Sequence, residues 1–174
     1  MKASQSYTIE VDAITICESD LSHAIFLSTR LRKNDLREIW IADSNPLYAL
    51  SAPIIEKWFF KSVTYTGFAE GEPICMFGTV QENESDDKAI VCALGSDMVY
   101  KYKKSFVKAS KKIIPILQNN YESLWNVVPY DHLETKIWLQ MLGFQMDYKT
   151  FTVKNIPMVQ FMRCKNYKNM STVH

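Results

Sequence analysis

The chain of 174 residues predicts an α/β fold in which one central sheet is covered by helices on both faces, and three observations carry that prediction. Apolar spacing is helical from Leu21 to Trp58, becomes strand-like from Val63, and then alternates strand, helix, strand, helix, strands as far as Cys164. Glu70-Gly71-Glu72 separates two strand-like runs, which marks a tight antiparallel hairpin. Trp125 to Phe144 holds an apolar run, a polar break, one helix and Leu142-Gly143-Phe144, where glycine accepts the left-handed conformation that stops a helix.

The elements follow in order. Tyr7 to Cys17 is rich in β-branched residues and reads as an opening strand with a turn near Asp12. Ser19 or Asp20 caps a helix that runs through Ile25, Phe26 and Leu31 to about Arg32. Asn34 caps a second helix, with Leu36, Ile39 and Trp40 sharing its apolar face. Ser44-Asn45-Pro46 starts a third, with the stripe Leu47, Leu50, Ile54, Ile55, Trp58 and a kink or split expected at Pro53. Val63–Ala69 and Pro73–Val80 form the hairpin, 81–88 is a polar loop, and Ala89–Leu94 is a buried strand ending at Gly95. Val99 to Leu117 is a long helix with a basic face, disturbed near its end by Pro115. Leu124–Val128 is a strand, Asp131–Met141 a helix, and Gln145–Val153 with Met158–Cys164 a closing strand pair.

Composition bounds the function. The length suits a single domain, with residues 1–6 and 166–174 expected to be flexible ends. A hydrophobic content of 47% excludes wholesale disorder. A formal net charge of +1 makes nucleic-acid binding through bulk charge an unfavoured class, although Lys101, Lys103, Lys104, Lys108, Lys111 and Lys112 cluster locally. Cys17, Cys75, Cys92 and Cys164 lie far apart without a CxxC pair, which reads as reduced thiols in a reducing compartment. No dense His/Asp/Glu cluster marks a metal site. No run is long and apolar enough for a membrane span, and no apolar core follows Met1 as in a secretory leader, so the expected location is not extracellular.

Gly67 to Gly78 resembles the central hairpin of the GNAT N-acetyltransferase family, and the last helix with Leu142-Gly143-Phe144 resembles that family's closing signature. The resemblance implies a mixed, mostly antiparallel sheet of about six to seven strands. A narrower resemblance, to a GNAT-like group of short-tailed bacteriophages that includes an internal virion protein, rests on four segments. They are Leu94-Gly95-Ser96-Asp97, Tyr102-Lys103-Lys104-Ser105-Phe106, Tyr121-Glu122-Ser123-Leu124-Trp125-Asn126 and Trp138-Leu139.

The resemblance also implies where the chemistry sits. Family members bind the coenzyme A pyrophosphate on a glycine-rich turn at a helix start, where main-chain N–H groups approach the phosphates. Here that turn reads Asp97-Met98-Val99-Tyr100-Lys101-Tyr102-Lys103-Lys104, without glycine and crowded by Val99 and two tyrosines. If coenzyme A binds, Leu94, Ser96, Tyr100, Lys101, Lys103 and Lys104 are the cofactor-binding candidates, while the same lysines equally suit a solvated helix face. The strands Ala89–Leu94 and Leu124–Val128 would have to part to admit the pantetheine arm. The tyrosine that many members use as general acid corresponds to Leu139, and an asparagine common at the start of that helix corresponds to His132. His132 and Tyr130 are the remaining catalytic candidates, Glu70 and Glu72 the nearby carboxylates, and Cys92 reads as a structural thiol.

Two functional readings follow. In the first, a phage-encoded protein keeps the scaffold with a degenerate coenzyme A site and no cofactor. It acts in the virion or host cytoplasm by binding a virion or host protein, with exposed members of Trp40, Trp58, Phe59, Phe60 and Tyr102 as anchors. In the second, it is an acetyl-CoA-dependent N-acetyltransferase with an atypical site.

Overall fold

The computed structural model describes residues 8–58, 61–81, 83 and 87–165. The expectations for the two chain ends, for Tyr7 and for Phe59 and Phe60 lie outside the described residues. Among those described, eight strands form one sheet: β1 (Ile9–Val11), β2 (Ile14–Glu18), β3 (Thr64–Ala69), β4 (Glu72–Val80), β5 (Lys88–Gly95), β6 (Ser123–Pro129), β7 (Gln145–Val153) and β8 (Ile156–Cys164). Six helices accompany them: α1 (Leu21–Ser28), α2 (Lys33–Ile41), α3 (Pro46–Glu56), α4 (Met98–Lys101), α5 (Lys103–Gln118) and α6 (Leu133–Met141). The sheet order is β1-β2-β3-β4-β5-β6-β8-β7, and every neighbouring pair is antiparallel except β5 with β6. The strand beyond the expected count comes from the turn at Asp12, whose φ of 51° folds the opening run into a hairpin.

Turn chemistry accounts for the connections. Glu70 and Gly71, with φ of 53° and 81°, form the two-residue turn between β3 and β4. Asp20 caps α1 by accepting from the N–H groups of Ser22 and His23, and Asn45 caps α3 by accepting from Tyr48. Two expectations need correcting in length. α1 stops at Ser28 because Leu31 leaves to form a bridge with Ser96, and the long helix breaks at Tyr102 into α4 and α5. Pro53 does not split α3, and packs instead within contact distance of the space above Gly78.

Two apolar layers sandwich the sheet. Phe106, Ala109, Ile113 and Leu117 of α5, with Leu139 of α6, pack with Phe77, Val91 and Leu124 on one face. Ala24 and Leu27 of α1, Ile39 of α2 and Leu50 and Ile54 of α3 pack with Met76 and Leu94 on the other. The two faces follow the strand alternation, Met76 and Phe77 pointing opposite ways. The apolar face expected of α2 holds only at Ile39: Leu36 and Trp40 are exposed, and Asp35 is buried beside Ile39 instead. Part of the stripe expected on α3 is likewise outward, with Leu47, Ile55 and Trp58 exposed.

Gly95 ends β5 under tight packing. A Cβ there would lie 2.9 Å from Val99 Cγ2 and 3.0 Å from the Ile74 carbonyl oxygen. The carbonyl is main chain and cannot rotate aside, so Gly95→Ala is expected to cost about 1–3 kcal/mol. Thermal melting should show a loss of roughly 5 °C.

Candidate functional site

The site begins where β5 and β6 separate. Their parallel ladder pairs Lys88–Ile90 with Ser123–Trp125 and stops there, although both strands continue. Between β4 and β5, Ser96 N–H donates to Ile74 O at 2.8 Å. Antiparallel alternation then turns Leu94, Cys92 and Ile90 toward β4 and Gly95, Ala93 and Val91 toward β6. Past the last rung, Val91 C=O accepts from Asn126 Nδ2 at 2.8 Å. Gly95 C=O accepts from Arg32 N–H at 2.9 Å, and Gly95 N–H donates to Asp35 Oδ2 at 2.7 Å. Ala93 is left between them with its N–H and C=O facing the opening.

Ala93 borders a cleft of about 260 Å³ walled by α2, the α4–α5 junction and α6. Its floor is aromatic. Phe106 stacks on Phe77 at 5.6 Å, and Trp138 stacks on Phe106 at 5.5 Å. The indole Nε1 of Trp138 is buried without a hydrogen-bond partner among the described residues. One wall is charged: Arg32, Asp35 and Glu38 line it from α2 and the residue before it. Asp35, 4% exposed, takes a forked interaction from Arg32 Nε at 3.1 Å and Nη2 at 2.8 Å. Burial pushes the Asp35 carboxyl up to about 6, against the pull of Arg32 and the Gly95 N–H. Lys103 and Glu134 face each other across the mouth at 3.7 Å, both well exposed.

The candidates from sequence fall into separate places. His132 is 7% exposed, and its Nδ1 lies 2.9 Å from Glu38 Oε1. Arg37 Nη1, a donor only, lies 3.4 Å from its Nε2, so Nε2 accepts and Nδ1–H donates to Glu38. His132 thus clips α6 to α2 and sits behind Glu38 rather than on the cleft wall. Tyr130 is half exposed outside the cleft, with Lys136 Nζ 4.3 Å from its ring centre. Leu139 is in the core.

Leu94 faces the α1–α3 layer and Ser96 N–H is spent on Ile74, while Tyr100 and Lys103 border the cleft. Lys104 is exposed. Lys101 pairs with Glu70 at 2.7 Å, and Tyr102 donates to the same carboxylate, holding it below the usual range. This brings Glu70, Lys101 and Tyr102 together at the β3–β4 turn, outside the cleft lining. Glu72 is exposed. Of the three bulky residues expected to crowd the turn, Val99 is core and only Tyr100 has its ring, 46% exposed, at the cleft. Burial pushes the Cys92 thiol up to about 12, which keeps it protonated at neutral pH. Trp40 and Trp58 are exposed, and Trp40 carries Lys154 4.6 Å from its ring centre.

Asp35, Glu38, Arg32 and Asn126 are not among the sequence candidates, and Ala93 enters there only as part of the strand Ala89–Leu94, whose main-chain N–H groups the acyltransferase reading aims at the thioester carbonyl. Asn126 alone left a signal, as a carboxamide inside an otherwise apolar strand. Among the described residues, no group of three or more His, Cys, Asp or Glu side chains is placed to hold a metal, and no helix is long and apolar enough to cross a membrane.

The fork and cleft fit a coenzyme A thioester in part. Ala93 offers main-chain groups to an extended amide arm. The turn above it offers little to a pyrophosphate, because the N–H groups of Ser96, Val99 and Tyr100 already donate to Ile74, Ser96 and Asp97. Lys101, the cation nearest that turn in sequence, is paired with Glu70, and Lys103 and Lys104 follow it.

Comparison of the sequence with family models and with curated proteins returns no match. Solved structures do match. A ribosomal-protein-S5-alanine acetyltransferase from Vibrio fischeri has a TM-score of 0.66 at 11% identity, over 92% of this chain and 97% of that one. AAC(6')-Ib in complex with ribostamycin and coenzyme A scores 0.65 at 16% identity, over 93% and 99%. A probable acetyltransferase of the GNAT family from Chromobacterium violaceum scores 0.63 at 14% identity, over 94% and 93%. At these identities the likeness speaks for architecture, and the eight-stranded sheet with its single parallel, opening strand pair is that of a GNAT fold.

Proposed function

We propose that this chain binds a coenzyme A thioester in the β5–β6 fork and transfers its acyl group to an amine. The observation that carries the reading is the N–H of Ala93, left without a ladder partner among the described residues, on the lip of a cleft with an aromatic floor. The thioester supplies an electrophilic carbonyl. An N–H fixed in a sheet beside the apolar rings of Phe106 and Trp138 stabilises negative charge as it develops on that carbonyl oxygen. Glu38 lines the same cleft and is held in place by His132, so it serves as the base that takes the amine proton as the C–N bond forms, while the C–S bond breaks and coenzyme A leaves as a thiolate that solvent protonates. His132 is then a positioning residue, and Lys103 and Lys104 supply the positive charge for the pyrophosphate. The coenzyme A present with AAC(6')-Ib supports this reading by analogy of fold.

A second reading, a virion-associated or host-directed phage protein that acts only by binding another protein, draws support from the occupied amides of the turn and from Leu139 in the core. Acetyl-CoA titrated calorimetrically, with a parallel thermal melt, separates the two. Binding in the micromolar range is expected. At 100-fold excess over the dissociation constant the fold gains about 2.7 kcal/mol. No heat and no shift at about 1 mM acetyl-CoA leaves only the binding protein. For Glu38→Gln, acetyl-CoA affinity should stay within about twofold while kcat falls by roughly 100-fold.

A further inference from the structure

We propose that Asn126 is the spreader of the fork, a positioning residue whose carboxamide holds β5 and β6 apart so that Ala93 stays open. The inference rests on the acyl-transfer reading for its functional arm and on hydrogen-bond geometry for its structural arm. In the parallel register Ala89↔Leu124 and Ile90↔Trp125, the next ladder bond would run from Val127 N–H to Val91 C=O. That bond is absent. Val127 N–H donates instead to Asn126 Oδ1 at 2.8 Å, and Asn126 Nδ2 donates to Val91 C=O at 2.8 Å. The side-chain amide is inserted between the two main-chain groups that would otherwise meet. It satisfies both, so the fork opens without leaving a buried donor or acceptor bare.

Three features argue that this insertion sets the geometry of the site. The β4–β5 register runs from Cys75↔Gly95 to Val80↔Ile90 without a shift, so no bulge in β5 accounts for the separation. β6 remains fully paired with β8 from Ser123 to Pro129, so it is the β5 side of β6 alone that is released. The far end of β5 is held independently, through Gly95, by Asp35 and Arg32. Asn126 below and Asp35 above therefore bracket one residue, and the open main chain of the fork is the N–H and C=O of Ala93. Other small polar side chains fail in this role. Aspartate accepts from Val127 but has no proton for Val91, and serine's single, shorter-reaching oxygen cannot place an acceptor and a donor on the two separate main-chain groups.

The test uses the full chain with Asn126→Val and Asn126→Asp. Valine favours strand, so Asn126→Val should let the ladder advance one rung. Amide exchange at Val127, read by NMR, should slow at least about tenfold while the melting temperature falls by less than about 3 °C. Acetyl-CoA binding should weaken by about tenfold or more, because Ala93 is drawn toward β6. Asn126→Asp should not slow exchange at Val127, since the carboxylate still accepts from that N–H but repels Val91 C=O, and the ladder does not advance. Wild-type acetyl-CoA affinity in Asn126→Val, or Val127 exchange that does not slow in it, overturns the proposal. If the wild type binds no acetyl-CoA, the acyl-transfer reading has failed by itself. The spreader is then judged by Val127 exchange in the two variants.

Discussion

Proline at position 93 is expected to lower acyl transfer by about 100- to 1000-fold, the usual cost of removing one donor aimed at a developing oxyanion. Ala93 has no side chain beyond a methyl, so a substitution that leaves the main chain intact tests packing rather than chemistry. Proline removes the N–H itself. Its effect on the β4 ladder is limited, because Ala93 lies opposite Phe77 in a pair whose hydrogen bonds point outward, while Leu94 and Cys92 carry the bonds to β4. The pyrrolidine ring still constrains Cys92, so a melting curve and an amide-to-ester exchange at residue 93 accompany the measurement. The ester deletes the N–H and keeps the side chain. Matched losses in kcat for proline and ester, with acetyl-CoA affinity changed by less than about tenfold, assign the N–H to the transition state. An ester variant with wild-type kcat removes Ala93 from the chemistry.

The fold was far more legible in the sequence than the site, and single residues show why. Gly71 and Gly143 occupy positive φ, which glycine announces locally, and the hairpin and the closing helix stop follow from them. The helices of the two apolar layers repeat at helical spacing over many residues, so their existence is over-determined. α2 is the instructive exception. Hydrophobic periodicity picked out Leu36 and Trp40, but the face turned inward is held by a carboxylate on a main-chain N–H and a guanidinium. A polar anchor has no periodic signature, since its partner, Gly95, lies 60 residues away. The fork was hidden for a similar reason. Whether two strands part depends on which groups one carboxamide satisfies, and that is a property of the assembled pair. His132 drew attention as a titratable residue, yet its proton is committed to Glu38, a partner 94 positions distant.

That polar anchor on α2 should also dominate the stability of the site. Asp35→Leu strands the part-buried guanidinium of Arg32 and the N–H of Gly95 together, and is expected to cost about 3–5 kcal/mol in denaturant unfolding. The pH dependence is separable from this. In the unfolded chain the carboxyl titrates at its ordinary 3.8, and in the fold burial raises it to about 6, with Glu38 also pushing up and Arg32 and Gly95 pulling down. Between these values the folded state holds a proton that the unfolded state has released. The contribution of Asp35 is therefore fully present below pH 4, declines as pH rises through 6, and is level above. A shift of about two units bounds the decline at roughly 3 kcal/mol. Asp35→Asn removes the titration while keeping an acceptor for Gly95. Its cost relative to wild type should be greatest near pH 4 and smaller by up to about 3 kcal/mol at pH 7. A cost that grows with pH instead would mean that Arg32 outweighs burial and holds the carboxyl low. The same change reaches the reaction, because Gly95 is the upper anchor of β5. Asp35→Leu should loosen the strand end beside Ala93 and lower kcat/KM even where enough folded protein remains to assay. Asp35→Asn at pH 7, with the N–H of Gly95 still held, should retain most of it.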